Sequence, residues 1–385
     1  MWQLFLHLSD GYLLTMGVWL TFLCPVPVVL IRLRRRWAER KSRLKLVYAG
    51  LSAWLCLSLL TLPELGFALL YDTTDSFDMT NVSRRWFKVH VDPDVKNLEF
   101  ANEIGIQYRA KSDVVLNPEP GCRHVCFLGD SFTFGHGVAS VEDRFSDRVA
   151  DSVNGEEFSP SVVSNLAWPG TDLLWAEAIL KNSFAVDGQI DDAVYVLCLN
   201  DIEAFHDPTM SKSTSLSHFE PPTFFFRDTY FFNWLYFRCQ SLFKQQTRSY
   251  YAFVKGYYQG EPWLRFREAL SRTSKLCDQN SCRFRVAIFP FLHNLGPDYP
   301  FREIHRQIKA DCESLRIDCL DLDPALSAHS DERLTVNPFD AHPNERAHEI
   351  AAEAMVDWLT GSRLSASENV PSSEGSESLE RPPSD

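Results

Sequence analysis

Hydrophobic and polar positions divide this chain into three regimes. The first is two long apolar runs near the start. Residues 12–31 carry no charge, and residues 46–62 are followed by Pro63, Glu64 and a further apolar stretch to Tyr71. A helix crossing a bilayer core takes about 20 such residues. Both runs are therefore predicted to span a membrane, with Pro25 and Pro27 near the end of the first, where a kink is tolerated. Glu64 is expected at headgroup level. The connection, RLRRRWAERKSRLK at 32–45, holds eight Lys/Arg against the single Glu39. Short loops this basic stay cytoplasmic. The pattern thus predicts a two-helix transmembrane hairpin over 1–72, with everything beyond on the extracytoplasmic side. A buried helical hairpin of a soluble domain is the alternative, and the density of the basic loop argues against it. No Lys or Arg precedes the first run and no small-residue cleavage site follows it, which argues against a cleaved signal peptide.

The second regime follows a mixed stretch, 73–120, which is expected as a linker or edge segment. From 121 to 361, short apolar runs alternate with amphipathic ones. Strands are predicted at 124–128, 162–166, 193–199, 285–289 and 317–322. Helices are predicted near 143–152, 172–182, 263–277, 301–314 and 345–359. This alternation specifies an α/β fold: a parallel sheet of about five strands between two helical layers. Reactive groups in such sheets sit beyond the C-terminal strand ends. An aromatic insertion at 206–260 interrupts the pattern, with FFF at 224–226 and YFFNWLYF at 230–237. Its rings either pack into the core or form an apolar wall, lid or contact surface. From 362 the chain is rich in Ser, Glu and Pro, and a disordered tail is expected.

Composition sharpens this picture. The hydrophobic fraction is 45% and the charged fraction 23%, ordinary for a folding chain. Mean hydropathy is −0.19, which excludes a polytopic transporter. Net charge is −13; residues 1–45 contribute +6, so the remainder carries −19. So acidic a body does not suit a phosphate backbone, and nucleic acid is excluded as a partner. Cys126 and Cys198 fall in strand-like runs and read as buried thiols. Cys277, Cys282, Cys312 and Cys319 flank short links, where disulfides suit an extracytoplasmic domain. Their connectivity is open, and no CxxC pair or compact His/Cys cluster points to zinc.

Candidate chemistry lies at the predicted strand ends. The first strand runs into GDSFTFGHGV, which places Ser131 at the rim of the sheet. A serine hydroxyl needs a base to attack. NPFDAHPNERAHEIAAEA, far along the chain, supplies His342 as that base and Asp340 to orient it, in an irregular turn before the last helix. Oxyanion donors are expected from the Ser131 N–H, the Gly170 N–H in NLAWPGTD, and the Asn200 amide in YVLCLND. Each residue also has a plainer reading. Ser131, Asp340 and Asn200 could cap helices, and Gly170 could serve only its turn. Asp130 is expected to support the turn and Asp201 the loop after the third strand. Phe132, His136 and Trp168 are a possible substrate wall, with His136 at the surface. His348 reads as structural.

Together these four blocks resemble those of the SGNH hydrolases, the GDSL esterase/lipase family, over roughly 122–360. GDSFTFGHGV resembles the Ser block, NLAWPG the Gly block, LCLND the Asn block and DAHPNERAH the His block. There are two departures. Cys198 stands where the Asn block usually has Gly, and Asp340 is two residues before His342 where the family usually spaces them by three. The resemblance implies a membrane-anchored serine esterase acting through an acyl-enzyme on an acylated lipid or glycan, with no metal or organic cofactor. It equally implies an O-acyltransferase acting on a cell-envelope polysaccharide. A non-catalytic envelope scaffold binding glycan or a membrane-protein partner is the rival from outside enzymology.

Overall fold

The computed structural model describes residues 2–77, 79–91, 104–153, 160–206, 221–243 and 250–367. Five parallel strands form the central sheet: β1 (Arg123–Gly129), β2 (Ser161–Asn165), β3 (Asp192–Cys198), β4 (Arg283–Phe289) and β5 (Asp318–Asp321), in the order β2-β1-β3-β4-β5. The inner strands β1, β3 and β4 are buried along nearly their whole length. Continuous apolar runs such as Val125–Leu128 are what burial on both faces demands. Helices Phe145–Val153 and Glu345–Ser367 pack together, as do Leu173–Ala185 and Gly260–Gln279; right-handed crossovers of this strand order place the two pairs on opposite faces. The chain reverses direction across the sheet between β1 and its neighbours β2 and β3. That is the switch point where open α/β sheets place their ligands.

The stretch expected as a linker is part of this core. Ile104, Ile106, Tyr108 and Val114 join the main hydrophobic cluster. Arg109, fully buried, donates to the carbonyls of Gly135 (2.8 Å), Val138 (2.5 Å) and Ala139 (3.1 Å). Asp113 accepts from the Arg109 N–H (2.9 Å) and pairs with the buried Arg144 (2.5 Å). A polar-looking segment thus ties down the loop that follows Ser131.

At the N-terminus, Asp10–Arg36 and Lys41–Leu69 are helices of 27 and 29 residues, long and apolar enough to cross a membrane by length and composition. Only 11% of each apolar window is buried, unlike a core helix of similar composition. They pair as a hairpin: the indoles of Trp19 and Trp54 donate to Thr61 Oγ1 and the Leu23 carbonyl, both at 2.9 Å. Glu64 is not free at headgroup level. It is buried, and its carboxylate accepts from the N–H groups of Tyr230 (2.7 Å), Phe231 (3.0 Å) and Phe232 (3.3 Å). These are unsatisfied donors at the start of helix Phe231–Phe243. Arg85, also buried, donates to the carbonyls of Ala68 (2.6 Å), Phe67 (2.9 Å) and Tyr71 (2.8 Å) at the end of the second apolar helix.

The aromatic insertion divides its rings between two partners. Phe225, Tyr230, Phe231 and Trp234 meet Trp19, Tyr12 and Phe67 of the apolar helices edge-on or tilted. Helix Tyr250–Tyr257 instead packs on the segment after β3. The last helix continues to Ser367, past the point where the tail was expected to begin; the rest of the tail lies outside the described residues. All ten cysteines are free thiols in this structure.

Candidate active site

Ser131 opens a one-turn helix directly after β1. Asp130 caps that turn through the Phe132 N–H (2.9 Å). The turn is tight: a Cβ at Gly129 would lie 2.3 Å from Thr133 Oγ1 and 2.8 Å from the Val196 carbonyl oxygen. Only glycine lets the backbone pass so close to β3.

Asp340 and His342 do not lie in an irregular turn. They belong to a two-stranded antiparallel hairpin, β6 (Thr335–Asn337) and β7 (Asp340–Pro343). Side chains two apart on a strand share a face, and this accounts for the shortened Asp-x-His spacing. The Asp340 Oδ1 to His342 Nδ1 distance is 2.5 Å, and His342 Nε2 lies 2.9 Å from Ser131 Oγ. Asp340 is buried. Burial opposes its ionisation, but the adjacent His342 and the Thr74 hydroxyl hold its carboxyl well below the usual range. An ionised carboxylate only accepts, so Nδ1 carries the imidazole proton and Nε2 is left to accept from Ser131.

The two flanking loops come from the strands on either side of β1. The loop after β2 is held to the end of β1 by the Trp168 N–H (3.3 Å) and the Thr171 hydroxyl (2.9 Å), both donating to the Gly129 carbonyl. Gly170 lies in this loop at φ +75 with open space around its Cα, so its backbone angle is what favours glycine. On the other side, Asn200 follows β3, half-buried, with its Oδ1 buried and unpartnered among the described residues. Asp201 fixes this turn by accepting from the Cys198 N–H (3.2 Å) and the Tyr195 hydroxyl (2.5 Å). Cys198 has an ordinary extended backbone (φ −88, ψ 141), its thiol against the Asp130 carboxyl. Burial pushes the Asp130 carboxyl up to about 6, and burial with the neighbouring Asp130 raises Asp201 well above the ordinary range.

The three expected wall residues differ in their exposure. Trp168 is half-buried, edge-on to Phe134 (5.2 Å). Phe132 and His136 are buried behind His342 instead of lining an open groove. Phe132 meets the imidazole edge-on at 5.6 Å, and His136 stacks on its other side at 4.1 Å. His136 is fully buried because Trp86 and Phe87, from helix Asn81–His90, cover it. Burial, then the neighbouring His342, pulls its pKa well below the histidine range, so it packs as a neutral ring. His136, Asp340 and His342 are close enough to suggest a metal site. They do not fit one: in stacked rings 27° apart the nitrogen lone pairs run side by side and do not converge, and Asp340 is committed to Nδ1. His348 is structural, accepting from the Phe145 N–H (3.2 Å).

Sequence reasoning missed Thr74, whose buried hydroxyl donates to Asp340 Oδ2. It also missed Trp86 and Arg109. None of these carries a local signal, because their partners lie far away in sequence.

No family model matches the chain, and no curated protein matches it. Among solved structures, it is similar to a member of the lipolytic G-D-S-L family from Veillonella parvula, at 16% identity and TM-score 0.37, covering 62% of this chain and 99% of that one. It is also similar to an acetyl xylan esterase from Geobacillus stearothermophilus (12%, TM-score 0.40, covering 62% and 95%). A two-domain esterase active on acetylated mannans aligns at 12% and TM-score 0.39, covering 63% of this chain and 50% of that chain. Scores and identities this low leave any functional reading to rest on the site's own geometry.

Proposed function

We propose that this chain is a serine esterase of the SGNH type, anchored by its two apolar helices with the α/β domain on the extracytoplasmic side. The observation that carries the reading is the unbroken relay Ser131–His342–Asp340, with contacts of 2.9 and 2.5 Å between groups drawn from opposite ends of the domain. Ser131 Oγ attacks the ester carbonyl carbon as its proton passes to His342 Nε2. Asp340 stabilises the imidazolium that results. The negative charge on the former carbonyl oxygen is held by the Ser131 and Gly170 N–H groups and the Asn200 amide. One such donor is worth about 2.7–4 kcal/mol. Collapse expels the alcohol, which takes the proton from His342 and leaves an acyl-serine. Water, activated in turn by His342, releases the acid. A sugar hydroxyl in place of water would make the same intermediate a transferase.

The test is labelling with a fluorophosphonate together with turnover of an acetyl ester, using the full-length chain in detergent. Wild type is expected to be labelled and active, and Ser131→Ala to be neither. Equal turnover by both would end the reading. Repeating the assay with an acetyl-accepting oligosaccharide separates hydrolysis from transfer by the products formed.

A further inference from the structure

We propose that segment 73–76, directly after the second apolar helix, is part of the active site, with Thr74 as a positioning residue for Asp340. This rests on the esterase reading above. The Asp340 carboxylate has two oxygens and both are engaged. Oδ1 faces His342, taking its ring Nδ1–H (2.5 Å) and its backbone N–H (3.1 Å). Oδ2 accepts from the Thr74 hydroxyl. With one oxygen held on each side, the carboxylate cannot rotate away from the imidazole. Its orientation then sets where Nε2 points, and so the approach to Ser131.

The rest of the segment is built onto the same hairpin. Asn337 Nδ2 donates to Thr73 Oγ1 (2.9 Å) and to the Thr74 carbonyl (3.0 Å). The Ala341 N–H donates to Ser76 Oγ (2.9 Å), and the Ser76 N–H to the Phe339 carbonyl (3.3 Å). Between them, Asp75 is buried and paired with Arg238 (2.7 Å), which also donates to the Phe339 carbonyl. Residues 73–76 thus bond β6 and β7 on both sides of Asp340. The loop after the nucleophile leaves room for them. A Cβ at Gly137 (φ +88) would lie 2.9 Å from Thr74 Oγ1 and 2.4 Å from Val336. The chain leaving the second apolar helix at Leu69 reaches the acid of the relay within five residues.

The experiment uses the full-length chain in detergent and four forms: wild type, Thr74→Val, Thr74→Ser and Asp340→Asn, plus the Thr74→Val/Asp340→Asn double variant. Valine matches threonine in shape but cannot donate; serine keeps the donor. The Thr74→Val form should lose about tenfold in kcat at unchanged KM, the size expected for one hydrogen bond to a charged group. Thr74→Ser should recover most of that loss. In the Asp340→Asn background Thr74→Val should cost almost nothing more, since it acts only through the carboxylate. Complete fluorophosphonate labelling of Thr74→Val, at a slower rate, would show that the variant is folded. Unchanged kcat in Thr74→Val overturns the proposal. So does a loss that serine fails to recover, or one that multiplies with Asp340→Asn. Ser131→Ala runs alongside: an active, labelled Ser131→Ala would sink the esterase reading itself, whereas an inert one with a fully active Thr74→Val sinks the role of Thr74 alone.

Discussion

At the proposed nucleophile, the Ser131 hydroxyl gains an acceptor only while His342 Nε2 carries no proton. An ordinary imidazole titrates near about 6.5. Asp340 is held well below the carboxylate range and His136 well below the histidine range, so neither changes charge near neutrality. The acid limb of kcat/KM should therefore follow His342 together with the buried Asp130, whose carboxyl burial pushes up to about 6. The sign is fixed by the base role: the rate falls as pH falls, approaching about tenfold per pH unit once below the imidazole pKa. Measured against pH with an acetyl ester, a flat profile from about pH 4 to 8 would contradict His342 as base. At this scale the sequence was readable where chemistry leaves a local mark. GDS after an apolar strand and DAHP before a helix pointed to Ser131, Asp340 and His342, which the fold brings together. Thr74 was not readable, because a single threonine bonded across 266 positions carries no pattern. His136 was misplaced for a related reason: a histidine in a Gly-rich turn looks exposed until Trp86 and Phe87 are seen to cover it.

Elements were readable in proportion to how far their own residues determine them. The inner strands β1, β3 and β4 are largely apolar runs, and all five sheet strands formed within a few residues of expectation. The hairpin β6–β7 escaped notice because its two short strands contain Pro, Asn and Asp, which local preference assigns to turns. Its pairing depends on the rest of the molecule, including residues 73–76. Glu64 shows the same limit. An acid at the end of an apolar helix reads as a headgroup contact, yet it closes the N-terminus of Phe231–Phe243 through three backbone N–H groups. Replacing it leaves those donors buried without partners, at a cost of about 1–3 kcal/mol. Glu64→Leu should lower the thermal unfolding temperature of the detergent-solubilised protein, and Glu64→Gln, which keeps one acceptor oxygen, should lower it less. A Glu64→Leu variant as stable as wild type would show that the cap contributes nothing.

For the whole molecule, the charge asymmetry and the helical hairpin combine into one testable geometry. Residues 1–45 carry +6 against −19 for the rest, and the basic loop lies at the opposite end of the apolar helices from Glu64 and Arg85. If both helices span a bilayer, the loop and the esterase-like domain must face different compartments, and loops rich in Arg and Lys remain cytoplasmic. Exposed thiols report this directly. Cys239, on helix Phe231–Phe243, is exposed on the domain side, and Ala38 is exposed in the loop. In intact cells stripped of any outer barrier, a membrane-impermeant maleimide should modify Cys239. An Ala38→Cys variant in a background with Cys24, Cys56, Cys122, Cys239 and Cys319 replaced by Ser should resist the reagent until the membrane is permeabilised. Equal labelling at both positions before permeabilisation would mean that the apolar helices do not cross. The reverse pattern would place the relay in the cytoplasm, where acylated envelope glycans are absent, and the substrate would have to be sought among cytoplasmic esters. The same measurement bears on residues 73–76. A segment that leaves a spanning helix and holds Asp340 would fix the relay close to the bilayer surface, so substrates tethered at the membrane would meet the site at a set height.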